Sequence, residues 1–307
     1  MTVLPATSTR ILNIAHRGAR AFAPENTLAA FAKAKSLGCD MIELDVCLSK
    51  DGEVIVYHDD HLKRCTNAER MFPGRESYQT SDFTYQELKC LDAGSWFADE
   101  LKLPNEKRQP YLQSLSSSEL AQFVSETELK CYASGEIKIP TLTEALLQAK
   151  DSGIRLNIEL KSQGETDPAL ITAVLRNIHD TNMADLILIS SFNHDLIGQI
   201  RLQNKTIETA ILIEKPLSNP LATLRKFKAN AYNLGCFHGN FDSKTGQRYL
   251  SHIEKICKAG FAVNIWTCND PTEMAWLLTP GITGLISDYP NRVRDVLADF
   301  VLKQRNP

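Results

Sequence analysis

Residues 42–46 read Ile42-Glu43-Leu44-Asp45-Val46, a strict alternation of apolar and acidic residues. In a β-strand, successive side chains point to opposite faces, so both carboxylates would project from one face and the aliphatic side chains from the other. Two carboxylates side by side repel each other unless a cation lies between them. The stretch therefore predicts a buried strand with one cation-binding face.

The same alternation recurs over residues 155–161, which read Arg-Leu-Asn-Ile-Glu-Leu-Lys. As a strand, this stretch places Asn157, Glu159 and Lys161 on one face and aliphatic residues on the other. A third carboxylate that faces the same interior as the first two would complete an oxygen-rich site. Such a donor set suits Ca²⁺ or Mg²⁺.

Outward from these two stretches, strand-like and helix-like segments alternate along the chain. A short extra strand is predicted at 53–57, and the main strands are predicted at Ile11–Ala15, Asp40–Val46, Arg155–Leu160, Leu186–Ser190, Glu208–Ile213, Ala231–Leu234, Phe261–Trp266 and Gly284–Ser287. Eight strands, each followed by a helix, predict an α/β fold of the (β/α)8 TIM-barrel class. A doubly wound sheet is the alternative, but it would usually carry a Gly-x-Gly-x-x-Gly turn after the first strand. The chain has His-Arg-Gly-Ala-Arg there instead, which favours the barrel.

The regular alternation is interrupted between residues 61 and 139. This segment is polar, contains three prolines and includes the serine-rich run at 114–118. We interpret it as a small subdomain inserted after the second strand region. The whole chain, residues 1–307, is then a single TIM-barrel domain, and Thr141-Leu-Thr-Glu144 opens its next helix with a possible capping box.

Composition argues against several classes of function. A net charge of −3 over 307 residues gives no basic stripe of the kind that binds nucleic acid. No apolar run approaches the roughly 18 residues that span a bilayer. Residues 1–10 lack the basic and apolar segments of a secretory leader. We therefore expect a small-molecule substrate, no nucleic acid and no membrane span, while the oligomeric state stays open.

The cysteines are scattered, without a Cys-x-x-Cys pair. This spacing favours buried thiols in a reducing, cytoplasmic environment over disulfides or a cysteine–zinc site. The eight positions are 39, 47, 65, 90, 131, 236, 257 and 268.

In a TIM barrel, functional residues lie at the carboxyl ends of the strands. Polar or aromatic residues occupy these ends repeatedly: His16 and Arg17, Glu43 and Asp45, Glu159 and Lys161, Ser190 and Ser191, Trp266, and Ser287 and Asp288. The two basic residues, Arg17 and Lys161, could hold an anionic group beside the cation.

A specific resemblance follows from the order of the motifs. They are His16-Arg-Gly18, Pro24-Glu-Asn-Thr27, Ile42-Glu-Leu-Asp-Val46, Ser49-Lys-Asp-Gly52, His58-Asp59, Asp92-Ala-Gly-Ser-Trp-Phe97, Ile139-Pro-Thr-Leu-Thr-Glu144, Asn157-Ile-Glu-Leu-Lys161, Trp266-Thr267 and Ser287-Asp-Tyr-Pro290. Together they resemble the glycerophosphodiester phosphodiesterase family over nearly the whole chain.

The resemblance implies a barrel with an inserted subdomain that hydrolyses glycerophosphodiesters to sn-glycerol 3-phosphate and an alcohol. It implies that a divalent cation, Ca²⁺ or Mg²⁺, is held by Glu43, Asp45 and Glu159. It further implies that His16 and His58 are the general acid/base pair and that Arg17 and Lys161 bind phosphate. Trp266 would wall the glycerol pocket, with Phe97 or Trp96 as its partners from the insertion.

Several alternatives stay open at this point. A lysophospholipase D-like activity would use a similar set of histidines and carboxylates, and a non-catalytic barrel could bind phosphodiesters without turnover. The roles of the two histidines as acid or base, and a cyclic phosphate intermediate, are not decided by the sequence. Asp288 could contact substrate or cap a helix, and Pro24–Thr27 is most simply a helix start. No role is assigned to the remaining histidines, at 61, 179, 194, 238 and 252.

Overall fold

Nine β-strands organise the computed structural model, which describes residues 10–305. They are β1 (Leu12–Ala15), β2 (Met41–Leu48), β3 (Val54–Val56), β4 (Arg155–Leu160), β5 (Ile187–Ser191), β6 (Glu208–Ile213), β7 (Ala231–Gly235), β8 (Ala262–Trp266) and β9 (Gly284–Ser287). Eight of them form a parallel barrel in the order β1-β2-β4-β5-β6-β7-β8-β9, and the pairing of β9 with β1 closes it. The ninth, β3, pairs antiparallel with β2 outside this ring. The predicted (β/α)8 barrel is confirmed.

Each barrel strand leads to one helix of the outer layer. These helices are α1 (Leu28–Ser36), α7 (Leu142–Ser152), α8 (Asp167–Thr181), α9 (His194–Gln203), α10 (Pro220–Phe227), α11 (Lys244–Lys258), α12 (Pro271–Leu277) and α13 (Pro290–Arg305). Between β3 and α7 lie the short helices α2 (Ala68–Met71), α3 (Tyr85–Leu88), α4 (Ser95–Lys102), α5 (Ser117–Phe123) and α6 (Glu126–Tyr132).

Local sequence explains where the first of these helices begin. The Thr27 hydroxyl accepts a hydrogen bond from the Ala30 N–H and caps α1. Thr141 and Glu144 form the predicted reciprocal capping box at the start of α7. α7 then ends at Gly153, whose positive φ of 63° suits a left-handed cap.

The main core lies between the barrel and the outer helices. Ile42, Leu44 and Val46 on β2 are at most 1 % exposed and belong to this apolar layer. Their acidic neighbours on the same strand face the opposite way, into the barrel, as the alternation predicts. The barrel interior is therefore polar near the carboxyl ends of its strands.

The inserted segment has a small apolar cluster of its own. Leu62, Phe83 and Leu88 pack there against Ile55 of β3 and against Cys47 of β2. This cluster places the insertion beside the carboxyl end of β2, at the mouth of the barrel.

Other sequence expectations concern thiols and membrane spans. The eight cysteines lie as free thiols, four of them buried: Cys39, Cys47, Cys65 and Cys268. Within residues 10–305, none of the helices is both long enough and apolar enough to cross a membrane. The expectation about a secretory leader concerns residues 1–10, and residues 1–9 lie outside the described part of the chain.

Candidate active site

Three carboxylates meet inside the barrel, close to the carboxyl ends of β2 and β4. Parallel pairing sets Asp45 beside Glu159 and Glu43 beside Asn157, so the two alternating strands bring their polar faces together. One oxygen from each of the three carboxylates lies within 4.8 Å of the other two. All three side chains are buried. The structure thus brings together the three residues predicted as cation ligands.

The negative charges of these three buried carboxylates repel one another, so added positive charge would stabilise the cluster. Burial raises the pKa of Glu43 well above its usual value, and Asp45 and Glu159 raise it further. Burial and the Asp45 charge also raise the pKa of Glu159. For Asp45, burial acts in the same direction, but Arg17, His58 and Lys161 outweigh it and lower the pKa. Because the three groups resist simultaneous ionisation, an all-oxygen donor set of this kind fits a divalent cation.

Both predicted phosphate ligands lie beside the carboxylates. The Lys161 Nζ is 2.9 Å from a Glu159 oxygen and 3.6 Å from an Asp45 oxygen. The Arg17 guanidinium lies 2.8 Å from Glu25 and 3.4 Å from Asp45. In this arrangement the Arg17 and Lys161 side chains offset part of the negative charge of the three carboxylates.

The tight turn at residues 16–18 orients the side chains of His16 and Arg17. Arg17 has a positive φ of 53°, and its N–H donates to a Glu43 oxygen at 2.9 Å. Gly18 follows with a φ of 78°, and a Cβ there would come within 2.7 Å of the Ala30 backbone. Only glycine permits this close approach of the turn to α1.

His16 is held by a buried carboxylate on the neighbouring strand end. Its Nδ1 lies 2.7 Å from Asp288, whose side chain is 1 % exposed. Asp288 also accepts hydrogen bonds from Arg20 Nε at 2.5 Å and from Asn269 Nδ2 at 2.7 Å. Burial and the Arg20 charge lower the pKa of His16 to about 4, although Asp288 opposes them. The Nε2 of His16 points towards Glu43, 3.9 Å away.

His58 has a similar arrangement on the insertion side. Its Nδ1 lies 2.6 Å from Asp59, and Arg64 bridges Asp59 and Glu25 with contacts of 2.6 and 2.7 Å. Burial alone would raise the pKa of Asp59, but hydrogen bonds with His58 and Arg64 lower it to about 2. Each predicted catalytic histidine is thus oriented by an aspartate at Nδ1, which leaves its Nε2 available for proton transfer.

A cavity of about 730 Å³ opens above these groups. Arg17, His58, Arg64, Thr267 and Asp288 are among the residues that line it. Barrel-strand ends and the insertion therefore contribute to one shared cavity.

The aromatic residues predicted to wall the glycerol pocket divide into two groups. Trp266 is partly exposed at the end of β8 and meets the exposed Phe192 edge to face, with ring centroids 5.4 Å apart. Phe97 is fully buried against Tyr132, and the Trp96 indole donates to the Ala93 carbonyl. The proposed partners from the insertion thus pack into the core, because α4 turns their rings inwards.

Sequence reasoning missed several residues of the site. Glu25 pairs with three arginines, Arg17, Arg20 and Arg64, and the Asn26 amide donates to Asp45 at 2.9 Å. The Pro24–Thr27 motif is therefore more than the helix start that the sequence suggested. Its polar pair between a proline and a capping threonine was the available signal.

Comparisons with known proteins place this geometry in context. Residues 16–292 match the model of the Glycerophosphoryl diester phosphodiesterase family. A glycerophosphodiester phosphodiesterase of Caldanaerobacter subterraneus subsp. tengcongensis is 30 % identical over 281 residues, which cover 92 % of this chain and 95 % of that protein.

The name of one further relative states a bound product, and the name of another states an activity. The solved structure of an Oleispira antarctica phosphodiesterase in complex with the product sn-glycerol-3-phosphate superposes with a TM-score of 0.73 at 26 % identity, covering 93 % of this chain and 96 % of that one. A human protein named lysophospholipase D is 25 % identical over 94 % of this chain and 86 % of its own length.

Proposed function

Because the chain belongs to the glycerophosphoryl diester phosphodiesterase family, we propose that it hydrolyses glycerophosphodiesters to sn-glycerol 3-phosphate and an alcohol. One observation carries the proposal for this chain's own residues. Three buried carboxylates meet at the ends of β2 and β4, and two aspartate-held histidines lie near them: His16, whose Nε2 is 3.9 Å from Glu43, and His58, which lines the adjoining cavity. The bound product of the Oleispira antarctica relative supports a small glycerol phosphate as the occupant.

Charge neutralisation is the first task of such a site, since an anionic phosphodiester repels a nucleophile. Arg17 and Lys161 supply two fixed positive charges beside the carboxylates. Glu43, Asp45 and Glu159 would hold a divalent cation, Ca²⁺ or Mg²⁺, which when bound offsets phosphate charge. Placing these charges in advance stabilises the extra charge that develops in the transition state.

Proton transfer is the second task. One histidine must accept a proton from the attacking hydroxyl, and the other must give a proton to the leaving alkoxide. Asp288 and Asp59 fix the Nδ1 sides of His16 and His58, so proton exchange occurs at the Nε2 atoms. Trp266 and Phe192 would face the glycerol moiety and limit its access to bulk water.

The proposal is tested by measuring release of glycerol 3-phosphate from glycerophosphocholine with a coupled enzymatic assay. We expect H58A to lose at least about 100-fold in kcat, because it removes one proton-transfer group. The matched control is H179A, since His179 also pairs with an aspartate, Asp180, but is 88 % exposed. Undiminished activity in H58A would overturn the proposed histidine chemistry.

Lysophospholipase D activity is a second candidate, supported by the likeness to the human protein of that name. The exposed Phe192, 44 % accessible beside Trp266, offers apolar surface for an acyl chain. Choline release from lysophosphatidylcholine, compared with that from glycerophosphocholine, distinguishes the two. A higher kcat/KM on the acylated substrate would favour the second candidate.

A further inference from the structure

A second group of potential metal ligands lies on the rim of the same cavity. Cys236 follows β7 directly, His238 lies two residues further on, and Glu273 is in the first turn of α12. One possible ligand atom from each residue, namely the Cys236 Sγ, a ring nitrogen of His238 and a Glu273 oxygen, lies within 4.8 Å of the other two. None of these residues takes part in the chemistry proposed above. His238 is one of the histidines to which the sequence assigned no role.

Two of the three distances within this group are close to those around a bound transition-metal ion. The Cys236 Sγ is 3.8 Å from Glu273 Oε2, and the His238 Nδ1 is 3.0 Å from the same oxygen. A tetrahedral Zn²⁺, with bonds of about 2.3 Å to sulfur and about 2.0 Å to nitrogen and oxygen, places its ligand atoms about 3.3–3.5 Å apart. For these two pairs of ligand atoms, changes of about 0.3 Å in separation accommodate the ion.

The scaffold holds the thiol and the imidazole on a firmly packed loop. Phe237, between the two ligands, packs on Phe241 and Tyr249 with ring centroids 5.3 and 5.7 Å apart. The Tyr249 hydroxyl donates to the Gly235 carbonyl at 2.6 Å and ties the end of β7 to α11. Phe241 in turn packs on Trp276 of α12, with ring centroids 5.6 Å apart.

The third ligand is held at the start of α12. The Glu273 N–H donates to Asp270, the residue that caps this helix, at 3.0 Å. The side chain of Glu273 is 19 % exposed and that of His238 is 65 % exposed, so solvent reaches the group. Both residues line the cavity together with His58 and Arg17.

We propose that Cys236, His238 and Glu273 form a second cation site, selective for thiophilic divalent ions of the Zn²⁺ type. Sulfur and imidazole ligands select such ions, whereas the all-oxygen cluster deeper in the barrel suits Ca²⁺ or Mg²⁺. With three protein ligands, the fourth tetrahedral position faces the cavity and takes a water molecule. The thiol of Cys236 is next to that of Cys268, and loss of its proton accompanies binding of the ion.

The proposed site is also linked to the proposed catalytic residues through Cys268, whose thiol contacts that of Cys236. Thr267, the residue before Cys268, has its hydroxyl 3.5 Å from His16 Nδ1, and Asn269, the residue after it, donates to Asp288. A cation on this rim would therefore stand above the segment that supports His16.

The test uses Co²⁺ as a spectroscopic probe on the full chain after removal of metals with a chelator. A thiolate bound to Co²⁺ gives a near-ultraviolet charge-transfer band that oxygen ligands alone do not give. We expect one equivalent to produce this band, Zn²⁺ to abolish it by displacement, and excess Mg²⁺ to leave it unchanged. The E43Q/E159Q double variant should keep the band, because the deeper site contributes no sulfur.

Variants then assign the ligands. C236S should lose the band, and H238Q and E273Q should weaken Co²⁺ binding by about tenfold or more. H238Q changes an exposed side chain, so its effect does not depend on folding of the apolar core. The controls are C257S, which removes another partly exposed thiol, and H179Q. Absence of the band in the unmodified chain, its persistence in C236S, or full affinity in H238Q would each overturn the proposal.

Discussion

Asp288 links three parts of the site through a single buried carboxylate. It holds His16 Nδ1 and accepts from Arg20 and Asn269, so its negative charge both orients and polarises the imidazole. Arg20 and His16 lower the pKa of Asp288 despite burial, which keeps it ionised. We expect D288N to reduce kcat by about 100-fold or more, because the amide no longer fixes His16 with a charged acceptor.

Steady-state kinetics with glycerophosphocholine check this prediction, and D288E should restore part of the lost kcat. The control is D180N, which changes the aspartate beside the exposed His179. Equal kcat for D288N and the unmodified chain would show that His16 does not depend on this carboxylate.

Gly18 is the second residue at which a single change is informative. In G18A, the new Cβ would lie 2.7 Å from the Ala30 backbone in a left-handed conformation. We expect the free energy of unfolding to fall by roughly 2–5 kcal/mol, from the backbone conformation and the clash together. In the control G38A, the φ is the same 78° but nothing lies within 4 Å of the added Cβ. The loss there should be only about 1–2 kcal/mol. Urea unfolding of both variants measures the difference, and equal losses would contradict the close approach.

Among single residues, the sequence predicted those that belong to a repeated pattern. It did not predict those whose role is to pair with a charged residue distant in the chain. Glu43, Asp45 and Glu159 were predictable because alternation places them on an inner face. Arg20 and Asn269 were not, because their partner Asp288 lies 268 and 19 positions away along the chain. Only the closed barrel brings these positions together.

The contact between α5 and α13 joins the insertion to the barrel at the level of elements. Arg292 makes a double contact with Glu119 at 2.8 Å, while Glu119 also completes the capping box of α5. Burial alone would raise the pKa of Glu119, but hydrogen bonds from Arg292, Asn291 and Ser116 lower it to about 2. The ionised carboxylate is therefore favoured in the folded chain.

From this shift we predict a pH-dependent stability difference between the unmodified chain and E119Q. A carboxyl with a lowered folded-state pKa stabilises above its unfolded value of about 4.3, and this contribution is lost as the pH falls towards 2. E119Q should lower the free energy of unfolding by about 1 kcal/mol at pH 7, a figure reduced for partial solvent exposure. The difference should shrink below pH 4.

Chemical unfolding at pH 7 and at pH 3.5 provides the measurement. E126Q, at an exposed position in the first turn of α6, is the control. A difference that grows as the pH falls would contradict the assigned sign.

The elements themselves differed in how well the sequence predicted them. Strands β2 and β4 follow from their alternation, and α1 and α7 from their capping threonines. The helices α2 to α6 were not predicted, because they are short and depend on packing rather than on a repeated apolar period. Three of them, α3, α5 and α6, begin with a capping box at Thr84, Ser116 and Ser125, and these boxes could have been read from the sequence.

For the whole molecule, the single-domain organisation over residues 1–307 stays a prediction. The insertion contacts the barrel through Arg64 and Glu25, and the Tyr289 hydroxyl of the barrel donates to the Tyr111 carbonyl of the insertion at 2.5 Å. We therefore expect insertion and barrel to unfold in one cooperative transition. In the W266F/W276F variant, fluorescence reports on Trp96 in the insertion, while far-ultraviolet circular dichroism is dominated by the helices around the barrel. Two separated midpoints would show that the insertion is an independent unit.

In the whole molecule, we propose, three carboxylates, two histidines and a divalent cation act together on one phosphodiester. The most direct measurement is glycerol 3-phosphate release by the chelator-stripped chain, before and after re-addition of Mg²⁺ or Ca²⁺, for the unmodified chain and E159Q. We expect stripping to remove activity, one of these ions to restore it, and E159Q to need at least about tenfold more of that ion. Full activity in the stripped chain, or an unchanged ion requirement in E159Q, would contradict the proposed metal-dependent mechanism.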